Sequence, residues 1–129
     1  MEAIHTLPRI ADARAAAALV ADLTDHAEER AAVLYFDPKW RLLGRIDFTG
    51  STANVTPPLR AIIAEALRLD ATALVLAHTH PSGCTQPSAA DLAYTRTLAR
   101  VAAPLDLMVT DHLILAGGKV NSLREQGLM

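Results

Sequence analysis

The residues able to do chemistry crowd into positions 77–91, Ala-His-Thr-His-Pro-Ser-Gly-Cys-Thr-Gln-Pro-Ser-Ala-Ala-Asp. His78 and His80 stand one residue apart, Ser88 follows, and Asp91 comes three residues after the serine. Zinc takes imidazole nitrogen and carboxylate oxygen at about 2.0–2.2 Å, and its catalytic sites keep three protein ligands and one position for water. His78, His80 and Asp91 make such an open set. The same set suits non-heme iron, so ligand type alone leaves the metal open. The plainer alternative is a pair of strand-end histidines bonded to backbone; the whole spaced pattern favours the metal.

Three elements must position these groups. Residues 71–77 are apolar and rich in branched side chains, which reads as a buried strand. Residues 81–87 supply Pro, Ser, Gly, Thr and Gln, all turn formers. Residues 89–101 carry helical spacing. Strand side chains alternate faces, so His78 and His80 point the same way with Cα atoms about 7 Å apart. Asp91 then approaches from the first turn of the helix that folds back over them. Ser88 occupies the N-cap position with Asp91 three residues on, a capping-box arrangement with Asp in place of Glu. Pure helix capping therefore competes with chemistry as the role of both residues, although the two roles are compatible.

The rest of the chain reads as scaffold. Residues 1–10 form a lead-in interrupted by Pro8, and residues 11–30 read as an alanine-rich helix with Leu19, Val20 and Leu23 on its apolar stripe. That helix serves the core or offers a face to a partner subunit, which would make a homodimer. Residues 31–36 and 40–48 read as a hairpin around the turn Asp37-Pro38-Lys39. Thr56 is a plausible cap for a helix with Pro57 and Pro58 in its first turn and Leu59, Ile62, Ile63, Ala66 and Leu67 buried. Two short strands, 105–109 and 113–116, flank Asp111-His112, and Gly117-Gly118 turns the chain into a last strand at 120–123. Asp111-His112 either orients a ligand from behind or is a satisfied edge pair. Cys84 reads as an ordinary loop thiol.

Composition narrows the function classes. With 129 residues the chain makes one domain large enough for a real core. A formal charge of −2 and only five Phe, Tyr and Trp residues argue against a basic footprint or stacking platform for nucleic acid. One cysteine excludes an internal disulfide and fits a reducing compartment. No apolar run reaches the ~18 residues of a membrane span, so the expectation is a cytoplasmic protein without membrane partners.

The pattern resembles the JAMM (JAB/MPN) metalloprotease motif: His-x-His, seven residues, Ser, two residues, Asp. The wider text resembles the RadC branch, through His78-Thr79-His80-Pro81-Ser82-Gly83, Pro87-Ser88-x-x-Asp91, Thr95, Leu98 and Thr110-Asp111-His112-Leu113-Ile114. The resemblance implies an α/β fold, a cytidine-deaminase-like three-layer sandwich with a mixed β-sheet flanked by helices. It implies zinc at His78, His80 and Asp91, an oxyanion-stabilising Ser88, and hydrolysis of a peptide or isopeptide bond in a peptide or protein substrate. RadC proteins also carry a DNA-repair label, and a helix-hairpin-helix module usually precedes their domain; this chain begins almost at the core.

One departure stands out. Counting back from Gly50, the resemblance places a proton-carrying glutamate where this chain has Arg45, and no glutamate lies between Arg30 and Glu65. Arginine stays protonated and cannot act as a base. Asp47 shares Arg45's strand face and is the candidate replacement. Three outcomes follow: Asp47 acts as the base, the protein binds metal without hydrolysing, or it does neither.

Overall fold

A computed structural model describes residues 12–25, 27–50 and 56–129. The strand β1 (Arg30–Phe36) and its neighbours follow from branched and aromatic runs punctuated by turns. The strands β2 (Leu42–Thr49), β3 (Ala73–Thr79), β4 (Met108–Ala116) and β5 (Lys119–Ser122) complete one sheet in the order β2-β1-β3-β4-β5. The sheet is mixed: β1 runs antiparallel to β2 and β3, β3 runs parallel to β4, and β4 runs antiparallel to β5. A parallel pair needs a crossover, and here the helix α3 (Ala89–Ala102) supplies it.

Strand alternation sorts the core into two layers. Ala32, Leu34, Phe36, Ala73, Val75, Ala77, Leu113 and Leu115 face the helix α1 (Asp12–Leu19) and the short 3-10 turn after it, meeting Ala13, Ala16, Val20 and Leu23. Val33, Tyr35, Leu74 and Leu76 face the other way, against Ile62 and Ala66 of α2 (Leu59–Arg68) and Leu98 and Ala102 of α3. The result is the expected sandwich, a mixed sheet between helices.

Several local expectations change. The N-terminal helix stops at Leu19, gives way to a 3-10 turn over Ala21–Asp25, and Arg30 already belongs to β1. Thr56 does not cap α2; Pro58 occupies the cap position without a side-chain bond. The two short strands expected around Asp111-His112 are one continuous strand, because a register slip at Leu74/Val75 absorbs Thr110 as an extra residue. Leu105 lies in a 3-10 turn before it. Gly117 and Gly118 turn the β4–β5 hairpin with φ of 55° and 77°, values that a two-residue turn of this hand demands and glycine adopts freely.

Candidate metal centre

The site grows from the end of β3. His78 is the penultimate residue of that wholly buried strand, and His80 lies just past its end on the same side. His78 pairs across to Ala31, so both face the α2/α3 layer. Ser88 then caps α3 with a complete capping box: the Asp91 N–H donates to Ser88 Oγ (3.0 Å), and the Ser88 N–H donates to Asp91 Oδ2 (2.8 Å). The cap fixes the Asp91 carboxylate over the histidines.

The structure brings His78, His80 and Asp91 together, each offering a ligand atom within 4.8 Å of the others. The two Nε2 atoms are 2.8 Å apart, His78 Nε2 is 3.4 Å from Asp91 Oδ1, and His80 Nε2 is 3.3 Å from Asp91 Oδ2. The donor chemistry fits a cation. His80 Nδ1 lies 2.8 Å from the Cys84 carbonyl, which only accepts, so Nδ1 carries a proton and Nε2 is the nitrogen left to bind a cation. That nitrogen faces His78 Nε2 and a carboxylate, a ligand set that one divalent ion can share.

Burial pushes the Asp91 carboxyl up, but the hydrogen bond and charge of His78 and the bonds from Ser88 outweigh it. It therefore titrates well below the usual carboxylate range and is ionised at neutral pH. Behind His78 lies His112, 2% exposed, with its Nε2 at 2.7 Å from His78 Nδ1. Burial, with the charges of His78 and His80, pushes the His112 imidazole down to about 3 against the smaller opposing pull of Asp91, so it is neutral.

Asp111 does not share that role. Strand alternation turns it to the opposite face, where its carboxylate accepts from Ser122 Oγ and from the backbone N–H groups of His112 and Arg124. It pins the C-terminal turn, and only the histidine of this pair backs the site. Cys84 is exposed on the loop and contributes its carbonyl.

Asp47 stands apart from the cluster. It pairs with Ala32 and Arg45 pairs with Leu34, which places both on the α1 face of the sheet. Both Asp47 oxygens accept from Arg45 at 2.7 Å. Arg45 also donates to the Leu19 carbonyl and to Asp22. The β1–β2 register slips only at Tyr35/Phe36, far from Asp47, so no bulge swings it round. Among the described residues, Glu29 is the acidic residue besides Asp91 that lines the site. It lines a cavity of about 820 Å³ together with His78, His80, Ser88 and Asp91. It precedes Ala31 by two residues and shares its face, and its carbonyl accepts the Gly50 N–H. Sequence reasoning missed it, although Glu29, Ala31, Val33 and Tyr35 follow the two-residue period of one strand face. Tyr94, whose phenol burial pushes up to about 12, ties α3 to the segment before α2 by donating to the Pro57 carbonyl.

The RadC-like JAB domain model matches residues 10–128. A UPF0758 protein of Acidithiobacillus ferrooxidans is 44% identical over 110 residues, covering 84% of this chain and 49% of its own length. A UPF0758 protein of Thermosynechococcus vestitus is 46% identical over 114 residues, covering 88% of this chain and 46% of its own length. The chain thus spans about half the length of the curated relatives it matches. A histidine pair and capped aspartate at the end of a central strand, on a sandwich matched nearly end to end, place this chain in the RadC-like JAB domain family.

Proposed function

We propose that this chain is a zinc-dependent hydrolase of peptide or isopeptide amide bonds. In this reading His78, His80 and Asp91 hold the metal, Glu29 carries the proton and Ser88 binds the carbonyl oxygen. The observation that carries it is the convergence of three ligand atoms on a cavity that Glu29 and Ser88 also line. When bound, zinc supplies Lewis acidity and brings the pKa of a water to about 7.

The chain's own residues supply the rest. Glu29 takes a proton from the attacking water as its oxygen bonds to the amide carbon. It delivers that proton to the leaving nitrogen as the C–N bond breaks. Ser88 Oγ already accepts the Asp91 N–H, which leaves its O–H to donate to the carbonyl oxygen as charge develops there. Ala31, Pro57, Leu76 and Tyr94 form an apolar wall beside the reacting groups. The rival idea of a metal-binding module without chemistry draws its support from Arg45; Glu29 at the cavity supports the hydrolytic reading instead.

The test is hydrolysis of a panel of fluorogenic dipeptides and isopeptides by zinc-loaded protein, with zinc content measured in parallel. Glu29→Gln is expected to keep its zinc and lose activity. A zinc-loaded wild type inert across the panel, or a Gln variant as fast as wild type, would sink the reading.

A further inference from the structure

Thr95 sits behind the metal cluster, and His112 stands between it and His78 at the back wall of the cavity. His112 Nε2 is 2.7 Å from His78 Nδ1, and its other nitrogen, Nδ1, is 2.5 Å from Thr95 Oγ1. Thr95 Oγ1 in turn lies 3.0 Å from the backbone carbonyl of Asp91. Thr95 and His112 are 4% and 2% exposed, so water does not compete for these bonds. The contacts form a circuit that leaves one metal ligand, His78, and returns to another, Asp91.

The circuit has a direction. A cation at His78 Nε2 puts the imidazole proton on Nδ1, which then donates to His112 Nε2. His112 must therefore carry its own proton on Nδ1, which donates to Thr95 Oγ1. The Thr95 hydroxyl proton is left to donate to the Asp91 carbonyl, the one partner in the circuit that only accepts. Every donor then meets an acceptor, and only one tautomer of each histidine satisfies the whole circuit.

We infer that His112 and Thr95 are positioning residues that lock His78 in its metal-binding tautomer and tie it to the helix start bearing Asp91. This rests on the metal centre proposed above. Partners of this kind commonly change metal affinity 10–100-fold when removed. Thr95 is the sharper probe, because valine matches its shape and lacks only the hydroxyl, whereas serine keeps the hydroxyl.

The experiment measures zinc affinity by chelator competition on wild type, Thr95→Val, Thr95→Ser and His112→Gln. Two-bond 1H–15N spectra of the zinc-loaded proteins read the histidine tautomers. Expected are Nδ1–H tautomers for both His78 and His112 in wild type and in Thr95→Ser, with zinc affinity within about threefold of each other. Thr95→Val should bind zinc about 10-fold more weakly. Wild-type zinc affinity in Thr95→Val overturns the inference. So does a zinc-loaded wild type with the His112 proton on Nε2, a result that needs no variant to fold. Wild type that takes up no zinc overturns the metal centre itself and this inference with it, a pattern distinct from failure of the relay alone.

Discussion

The sheet carries a polar cluster on each of its two faces, and the two are held in different ways. On the α1 face Arg45 is saturated by Asp47, Asp22 and the Leu19 carbonyl, with side-chain exposures of 24% for Arg45, 50% for Asp47 and 64% for Asp22. Each charge there has its counter-charge inside the protein, and water screens the group. On the α3 face His78, His80 and Asp91 are 7%, 15% and 20% exposed, and their outer atoms are already fixed by Cys84, His112 and Ser88. What remains on that side is lone pairs turned toward one point. A satisfied ion-pair network supports a surface; a set of donors held by their backs leaves room for a guest ion.

The comparison can be broken at four points. The largest effect belongs to His78→Ala, which should lower bound zinc from about one per chain to near none, read by elemental analysis after dialysis. Next comes Glu29→Gln, for which hydrolysis should fall on the order of 10²–10⁴-fold at unchanged zinc content, the usual contribution of a positioned acid-base group.

The third effect is on folding of the metal-free protein. An unfolded histidine titrates near 6.5, whereas folded His112 is held down to about 3. Between those values the unfolded chain binds more protons than the folded one, so stability falls as pH falls. Complete linkage amounts to about 1.4 kcal/mol per pH unit; with the unfolded histidine half protonated at pH 6.5, the change from pH 6.5 to 5 is about 1.6 kcal/mol, other groups held constant. Urea unfolding at the two pH values should show this slope in wild type and a shallower one in His112→Gln. Equal slopes would mean that His112 is not the group responsible. The smallest effect is expected for Asp47→Asn on the opposite face. Hydrolysis should stay within about twofold and stability within about 1 kcal/mol, as for exposed ion pairs generally. A large loss of activity there would erase the distinction between the two faces.

What the sequence could reveal divides along the same line. The convergence of His78, His80 and Asp91 and the capping place of Ser88 were legible because strand alternation and the helix cap are local rules acting over a few residues. Glu29 was not, because its place depends on the pairing of β1 with β3, which joins residues 47 apart at Ala31 and His78. A fixed count back from Gly50 led instead to Arg45, on the other face. The single long β4 was hidden by Thr110, since an extra residue in a strand inverts the apparent alternation. The end of α1 at Leu19 went unread because alanine favours helix wherever it stands, and the 3-10 turn that follows is set by packing.

The three ligands occupy a short stretch of chain, residues 78–91, whereas Glu29 arrives from a distant strand start. On the proposed function, ion capture and bond cleavage therefore depend on different seams of the molecule. On that reading, loosening β1 against β3 is expected to lower hydrolysis while zinc content stays unchanged. A lesion in the first turn of α3 would strip the ion and the activity together.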